Sequence, residues 1–332
     1  MARLSIGKIP PPLLSRSVFP FLGSKKPGVL VKPGIGCDAA IVRHGGKVLV
    51  FSTDPITGTS THIGTHSVII NANDIATSGA KPIWYLCTIL LPPGASESYL
   101  AQIMREINQA SKKIGVAVLG GHTEITPGLN RPIIAGFMIG ETGPSGNFSA
   151  ENGRPGDRIL LTKTAGLEGT AIIASEHSRQ LGRLPSSTLE RAKSFSQDIS
   201  VVNEALAIAR LQGVHAMHDP TEGGVITGLW ELAEASNLGI EVWSDKIRIA
   251  PQTAQICSIL GLNPLKLMSS GSLLVAVRPS ETGRVKRKLR ELKVPVSEVG
   301  VLTPQAVKRN LLSNGRRRKL RPVSRDELYR LN

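Results

Sequence analysis

KVLVFSTDPITGTSTHIGTHSVIINANDIATSGAKPIWYLCTILL, residues 47–91, decides the architecture of the N-terminal half. Its first part, residues 47–54, is an apolar run that ends on the polar tip Asp54, the pattern of a buried strand. Over 66–78 the period changes. Val68, Ile69, Ala72, Ile75 and Ala76 fall on one face of a helix, and Gly79 stops it. A second apolar run at 83–91 reads as another strand.

Downstream, Leu100, Ile103, Met104, Ile107 and Ile114 recur at helical spacing over 97–114, with Ser96 placed to cap the start and Gly115 to end it. Strands are expected at 116–119 and 132–140, giving the order β-α-β-α-β-β, a mixed α+β pattern. The turn-forming stretch GPSGNFSAENGRPGD at 143–157 marks a junction. Beyond it come a strand at 158–163, helices at 167–181 and 188–211, and a Gly-rich turn opening a helix at 223–236. Strands near 238–243, 271–278 and 296–302 and a helix at 281–292 complete the second half. The expected division is an N-terminal α+β domain over 1–150, a C-terminal α/β domain over 151–310 and a basic tail over 311–332.

A chain of 332 residues is long enough for two cores. Its cysteines, Cys37, Cys87 and Cys257, are far apart and form no CxxC pair, so neither a disulfide framework nor a structural zinc site is expected. A reducing cytoplasm suits them. No signal peptide is expected, and the run 83–91 is too short to span a bilayer, so a membrane is not expected as a partner. The net charge of +15 is concentrated at the two ends. The run Arg316-Arg317-Arg318-Lys319 could face a polyanion, but it lacks interleaved aromatic residues for base stacking. The expectation is a solvated basic tail of a heat-adapted protein, with nucleic acid not a partner.

Candidate chemistry lies in acidic side chains at strand tips and Gly-rich turns. These are Asp38 in PGIGCDAA, Asp54 in STDP, Asp74 in NANDIA, Glu124 in GGHTEITPG and Asp219 in MHDPTEGG. Magnesium takes hard oxygen ligands and usually shares its shell with water and phosphate. Carboxylates on separate loops could bridge it to a triphosphate. Gly34, Gly36, Gly120, Gly121, Gly223 and Gly224 could let backbone N–H groups approach phosphate oxygens, and the last pair opens a helix whose N-terminus favours anions. Taken singly, each Asp is more often a turn former or cap than a functional residue, and His122 and His218 read as structural histidines. No Walker GxxxxGK[ST], no GxGxxG before a helix and no GxSxG elbow occurs.

The ordered set GIGCDAA, STDPITG, NANDIATSGAKP, GGHTEITPG, RPGDRILLTK and HDPTEGG resembles the HypE-like members of the aminoimidazole-ribotide (AIR) synthase, or PurM-like, superfamily, from about Ile9 to about Leu302. The resemblance implies a two-domain fold, with the N-terminal domain closing a shared β-barrel with its copy in a homodimer. It implies ATP in the cleft between the domains, with Mg²⁺ on Asp38, Asp54 and Asp74, of which Asp54 and Asp74 would also be catalytic. Thr53, Asn73, Gly120, Gly121 and His122 would contact nucleotide or phosphate, joined from the C-terminal half by Asp219, Thr221, Gly223 and Gly224. The chemistry implied is activation of an acceptor oxygen by ATP phosphoryl transfer. The acceptor would be a small molecule or protein-borne, and a maturation protein would be a partner. The alternative is a non-catalytic nucleotide-binding paralogue that docks a partner during hydrogenase metallocentre maturation.

The sequence departs from the HypE pattern in four places. HypE members carry a reactive cysteine in a C-terminal tail, whereas here no cysteine follows Cys257. His122 stands where many relatives are acidic, leaving Glu124 as a substitute ligand or base. Glu222 replaces an arginine beside the phosphate site. Cys37 next to Asp38 is expected as a space-filler rather than a reactive thiol.

Overall fold

The computed structural model describes residues 4, 6–143, 149–182 and 184–331. Part of the expected junction, residues 144–148, and the final Asn332 lie outside them. The first half runs α1 (Pro11–Ser17), β1 (Val29–Val31), β2 (Ala40–His44), β3 (Lys47–Ile56), α2 (Ile63–Thr77), β4 (Lys81–Leu91), α3 (Glu97–Ile114), β5 (Ala117–Ile125) and β6 (Ile133–Thr142). Six strands form one sheet in the order β1-β2-β3-β6-β4-β5. The β-α-β-α-β-β order is as expected, and α3 keeps its expected bounds. Ser96 accepts a hydrogen bond from the Tyr99 N–H at 3.2 Å, and Gly115 ends the helix at φ 73°.

Helix α2 is buried at every position but one. One side packs on β3 and β6 and another on elements of the second half, so the helix is a joint between two layers. Asn71 fixes it to β3. Its amide oxygen accepts from the Asp54 N–H at 2.9 Å, and its Nδ2 donates to the Asp54 carbonyl at 3.2 Å. Gly136 opposite must be glycine, because a Cβ there would stand 2.3 Å from Asn71 Nδ2.

The second half runs β7 (Arg158–Thr162), α4 (Leu167–Glu176), α5 (Ser186–Lys193), α6 (Val202–Ala209), β8 (Val214–His218), α7 (Gly224–Ala235), β9 (Gly239–Trp243), α8 (Pro251–Leu260), β10 (Leu274–Val277), α9 (Thr282–Glu291), β11 (Val296–Thr303), β12 (Arg309–Ser313) and β13 (Arg316–Lys319). Its seven-stranded sheet has the order β13-β12-β9-β11-β7-β10-β8. Two sheets, each with its own helices, make the two-domain α+β architecture expected.

Two differences from the sequence reading matter. The single helix expected over 188–211 is broken between α5 and α6. Asn73 of α2 reaches across and donates to the Ile199 carbonyl at 2.8 Å while accepting from the Val201 N–H at 2.9 Å. Lys163 donates to the Asp198 and Ser200 carbonyls. Backbone groups bound sideways in this way cannot continue a helical ladder. The second difference is at the C-terminus. The stretch read as a basic tail supplies β12 and β13 to the sheet, and Asp326, Glu327, Leu328 and Tyr329 are buried. Among the described residues no helix is long and apolar enough to cross a membrane.

Candidate active site

A cavity of about 730 Å³ opens between the halves, within the range of small-molecule sites. Its N-terminal wall carries Asp38, the end of β3 with Thr53 and Asp54, and Asp74 of α2. The C-terminal wall carries Glu168, Thr221, Glu222 and Ser270. Lys8, Arg131, Arg325 and Tyr329 complete the lining from loops and chain ends. Three acids expected from separate motifs therefore meet in one cleft.

Their electrostatics are those of carboxyls crowded together out of water. Burial first, and then the charge of Asp38, push the Asp54 carboxyl up to about 6. Burial and Asp54 push Asp74 well above the usual range, and the two carboxyls share a hydrogen bond. Asp219 is buried behind them. Neither of its oxygens has a partner, and burial with Asp38 pushes it up to about 8. Like charges gathered in a dry site disfavour ionisation until a counter-charge arrives. Among the described residues no three His, Cys, Asp or Glu side chains could hold a metal ion by themselves. An ion that shares its shell with water and phosphate does not require that, so the donors fit magnesium carried with a nucleotide.

His218 is the satisfied histidine expected, but its partners give it a part in the site. Its Nδ1 lies 2.6 Å from Asp38 Oδ2 and its Nε2 3.2 Å from Glu231 Oε2, while Lys8 Nζ lies 2.7 Å from Glu231 Oε1. Burial opposes charge on the imidazole, but Asp38 and Glu231 outweigh it and raise His218 to about 10. A doubly protonated ring thus donates to both acids and fixes the Asp38 carboxylate. Glu222 accepts from the Lys8 backbone N–H at 2.6 Å and clasps the N-terminal segment.

Several expected contacts are not brought to this cavity. Asn73 is spent on residues 199–201. Gly120, Gly121, His122 and Glu124 lie on β5, which is exposed along its whole length. There Glu124 accepts from Thr126 at 2.6 Å and faces His122 at 3.2 Å. Gly121 serves the sheet, since a Cβ at its φ of 149° would stand 1.8 Å from the Cys87 carbonyl. The amide of Gly223 is taken by Asp326 Oδ2 at 2.6 Å, and that of Gly224 by the Thr221 carbonyl at 3.1 Å. Gly34 and Gly36 line an adjoining cavity that also reaches Asp38 and Thr53. Burial, with Glu151 and Asp38, pushes the Cys37 thiol up to about 12, in keeping with a space-filler.

Lys8, Arg131, Glu168, Arg325 and Tyr329 were not legible as site residues. They are scattered over the chain, and no local pattern joins them.

Residues 36–142 match the N-terminal domain, and residues 154–309 the C-terminal domain, of the AIR synthase related proteins. A putative hydrogenase expression/formation protein of Methanocaldococcus jannaschii is 32% identical over 272 residues, 79% of this chain and 78% of that one. Carbamoyl dehydratase HypE of Bradyrhizobium diazoefficiens is 31% identical over 257 residues, 75% of this chain and 71% of its own. The fold superposes on hydrogenase maturation protein HypE solved in complex with ATP, with TM-score 0.71, 23% identity and 96% of each chain covered.

Proposed function

Because the chain belongs to the AIR synthase related family, in its HypE-like branch, we propose that it is an ATP- and magnesium-dependent enzyme that activates an acceptor oxygen by phosphoryl transfer. The observation that carries this reading is the convergence of Asp38, Asp54 and Asp74 from three separate segments on one cavity, with Asp54 held short of full ionisation by burial and Asp38, and Asp74 by burial and Asp54. Asp38, Asp54 and Asp74 would hold Mg²⁺ against the phosphates, where it neutralises charge. Lys8, Arg131 and Arg325 add positive charge to the same cavity. Phosphoryl transfer asks mainly for positioning and charge neutralisation, which such a lining supplies. The names of the relatives favour a role in hydrogenase maturation.

A second reading is a nucleotide-binding dimer that docks a partner without turnover. It is favoured by the Gly223 amide, already taken by Asp326 of the same chain and so unavailable to a phosphate. Calorimetric titration with MgATP, followed by assay of ADP release, separates the two. Enzyme action predicts binding with turnover, both lost in Asp54→Asn and Asp74→Asn. Tight binding with no ADP released would favour the docking role, and undiminished binding and turnover in both variants would remove the site assignment.

A further inference from the structure

On the wall of the cavity contributed by α4 stands a carboxylate that no motif announced. Glu168 lies in the first turn of α4, only 4% exposed, and lines the cavity with Ile172 of the next turn. The other cavity acids have occupations. Asp38 is bound by His218, Asp54 and Asp74 share a hydrogen bond, and Glu222 accepts from Lys8. Among the described residues, Glu168 is the one lining acid with a buried oxygen, Oε2, that no group satisfies. Beside it stands His66 of α2, whose Nδ1 lies 3.8 Å from Glu168 Oε1. Both ring nitrogens of His66 also lack partners, and burial, then His62, lower it to about 4, so it brings no positive charge at neutral pH.

A buried carboxyl oxygen with no hydrogen bond costs stability, and a carboxyl perturbed by burial on the wall of a cleft marks a candidate for proton transfer. Resting on the ATP-dependent reading above, we propose that Glu168 is the general base of the reaction, taking the proton from an uncharged acceptor hydroxyl or amide as it attacks. The acceptor oxygen forms a bond to the γ-phosphorus of ATP. The bond from that phosphorus to the β,γ-bridging oxygen breaks, and its electron pair leaves with ADP. The acceptor's proton, lost directly or through its conjugated N–H, goes to the Glu168 carboxylate. An ionised, unpartnered carboxylate would repel an anionic acceptor such as a phosphate monoester, so the position selects for a neutral one.

The groups facing Glu168 support this role. Besides His66 they are Ser270, Asp326 of the C-terminal segment, Asp54 of β3 and Glu222. Burial first, with the charges of Asp326, Asp54 and Glu222, pushes its carboxyl up to about 7 against the opposing effect of Ser270 beside it. A base with that affinity is matched to accepting a proton at neutral pH.

The test compares the full chain with Glu168→Gln, which keeps the shape and removes the base. MgATP binding is measured by calorimetry, and ADP release with water as acceptor is followed from about pH 5 to 9 at saturating MgATP, so that the pH dependence of binding drops out. In parallel, the infrared carboxylic band that Glu168→Gln deletes is titrated, a readout that needs no turnover. The expectation is unchanged MgATP affinity, ADP release about a hundredfold slower, loss of the acidic limb near pH 7, and a carboxylic band that disappears around pH 7. Turnover and pH profile like wild type, or a carboxyl already ionised at about pH 5, would overturn the assignment while leaving ATP use intact. A wild-type chain that does not bind MgATP would overturn the ATP-dependent reading and this role together.

Discussion

Asp38, Asp54, Asp74 and Asp219 come from separate stretches of chain, and it is their crowding that gives them a chemical character. The folded chain holds protons on Asp54 up to about 6 and on Asp219 up to about 8, which the unfolded chain has already released at lower pH. Stability from these groups is therefore full below their ordinary values near 4 and is lost as pH rises through about 6 and then about 8. A bound cation reverses the preference by favouring the ionised forms. MgATP binding at about pH 7 should thus release protons, and affinity should rise with pH across this window. Calorimetry in two buffers of different ionisation enthalpy measures the release, and heats independent of buffer would contradict it. At this scale the motif acids were legible because Asp38, Asp54 and Asp219 sit at strand tips or turns, and Asp74 stands among the apolar residues of a helix. Glu168 was not, because its meaning depends on what fails to pair with it.

At the scale of elements, α2 does more than its apolar face suggested. Ile69, Ala72, Ile75 and Ala76 pack as the periodicity indicated, but its polar residues are buried as well and bind outward to both halves. Asn71 holds the Asp54 backbone on one side, and Asn73 holds the break between α5 and α6 on the other. Asn73→Ala should leave the Ile199 carbonyl and the Val201 N–H unsatisfied and cost about 2–3 kcal/mol in denaturant unfolding. MgATP affinity should change little. A large loss of affinity with normal stability would restore the phosphate contact that motif position implied. Residues 188–211 read as one helix because apolar spacing cannot register side-chain bonds arriving from position 73.

For the whole molecule, β5 is an open edge of the first sheet, exposed along its length. Val118, Leu119 and Ile125 are exposed along it, and Trp84 and Phe137 are exposed on neighbouring strands. An exposed apolar edge strand is a template for pairing with another chain. The homodimer implied by the family resemblance would use it, adding a second set of strands to the sheet. Leu119→Lys should then shift the protein from dimer to monomer in sedimentation analysis without unfolding it. A wild-type monomer, or a variant dimer as tight as wild type, would place the interface elsewhere.

The sequence by itself determined the alternation of strands and helices in the first half, the two-domain plan and three of the acids in the cavity. These depend on local periodicity, turn residues and motif order, all written within short spans of chain. Only the tertiary structure decided that His218 clamps Asp38 across 180 residues, that Asn73 and Gly121 serve packing, and that the C-terminal segment caps Gly223 rather than trailing in solvent. It also decided that Glu168 stands unpartnered beside the acids. Each of these rests on contacts between segments far apart in the chain, where burial and the supply of partners are set by packing that no local window contains.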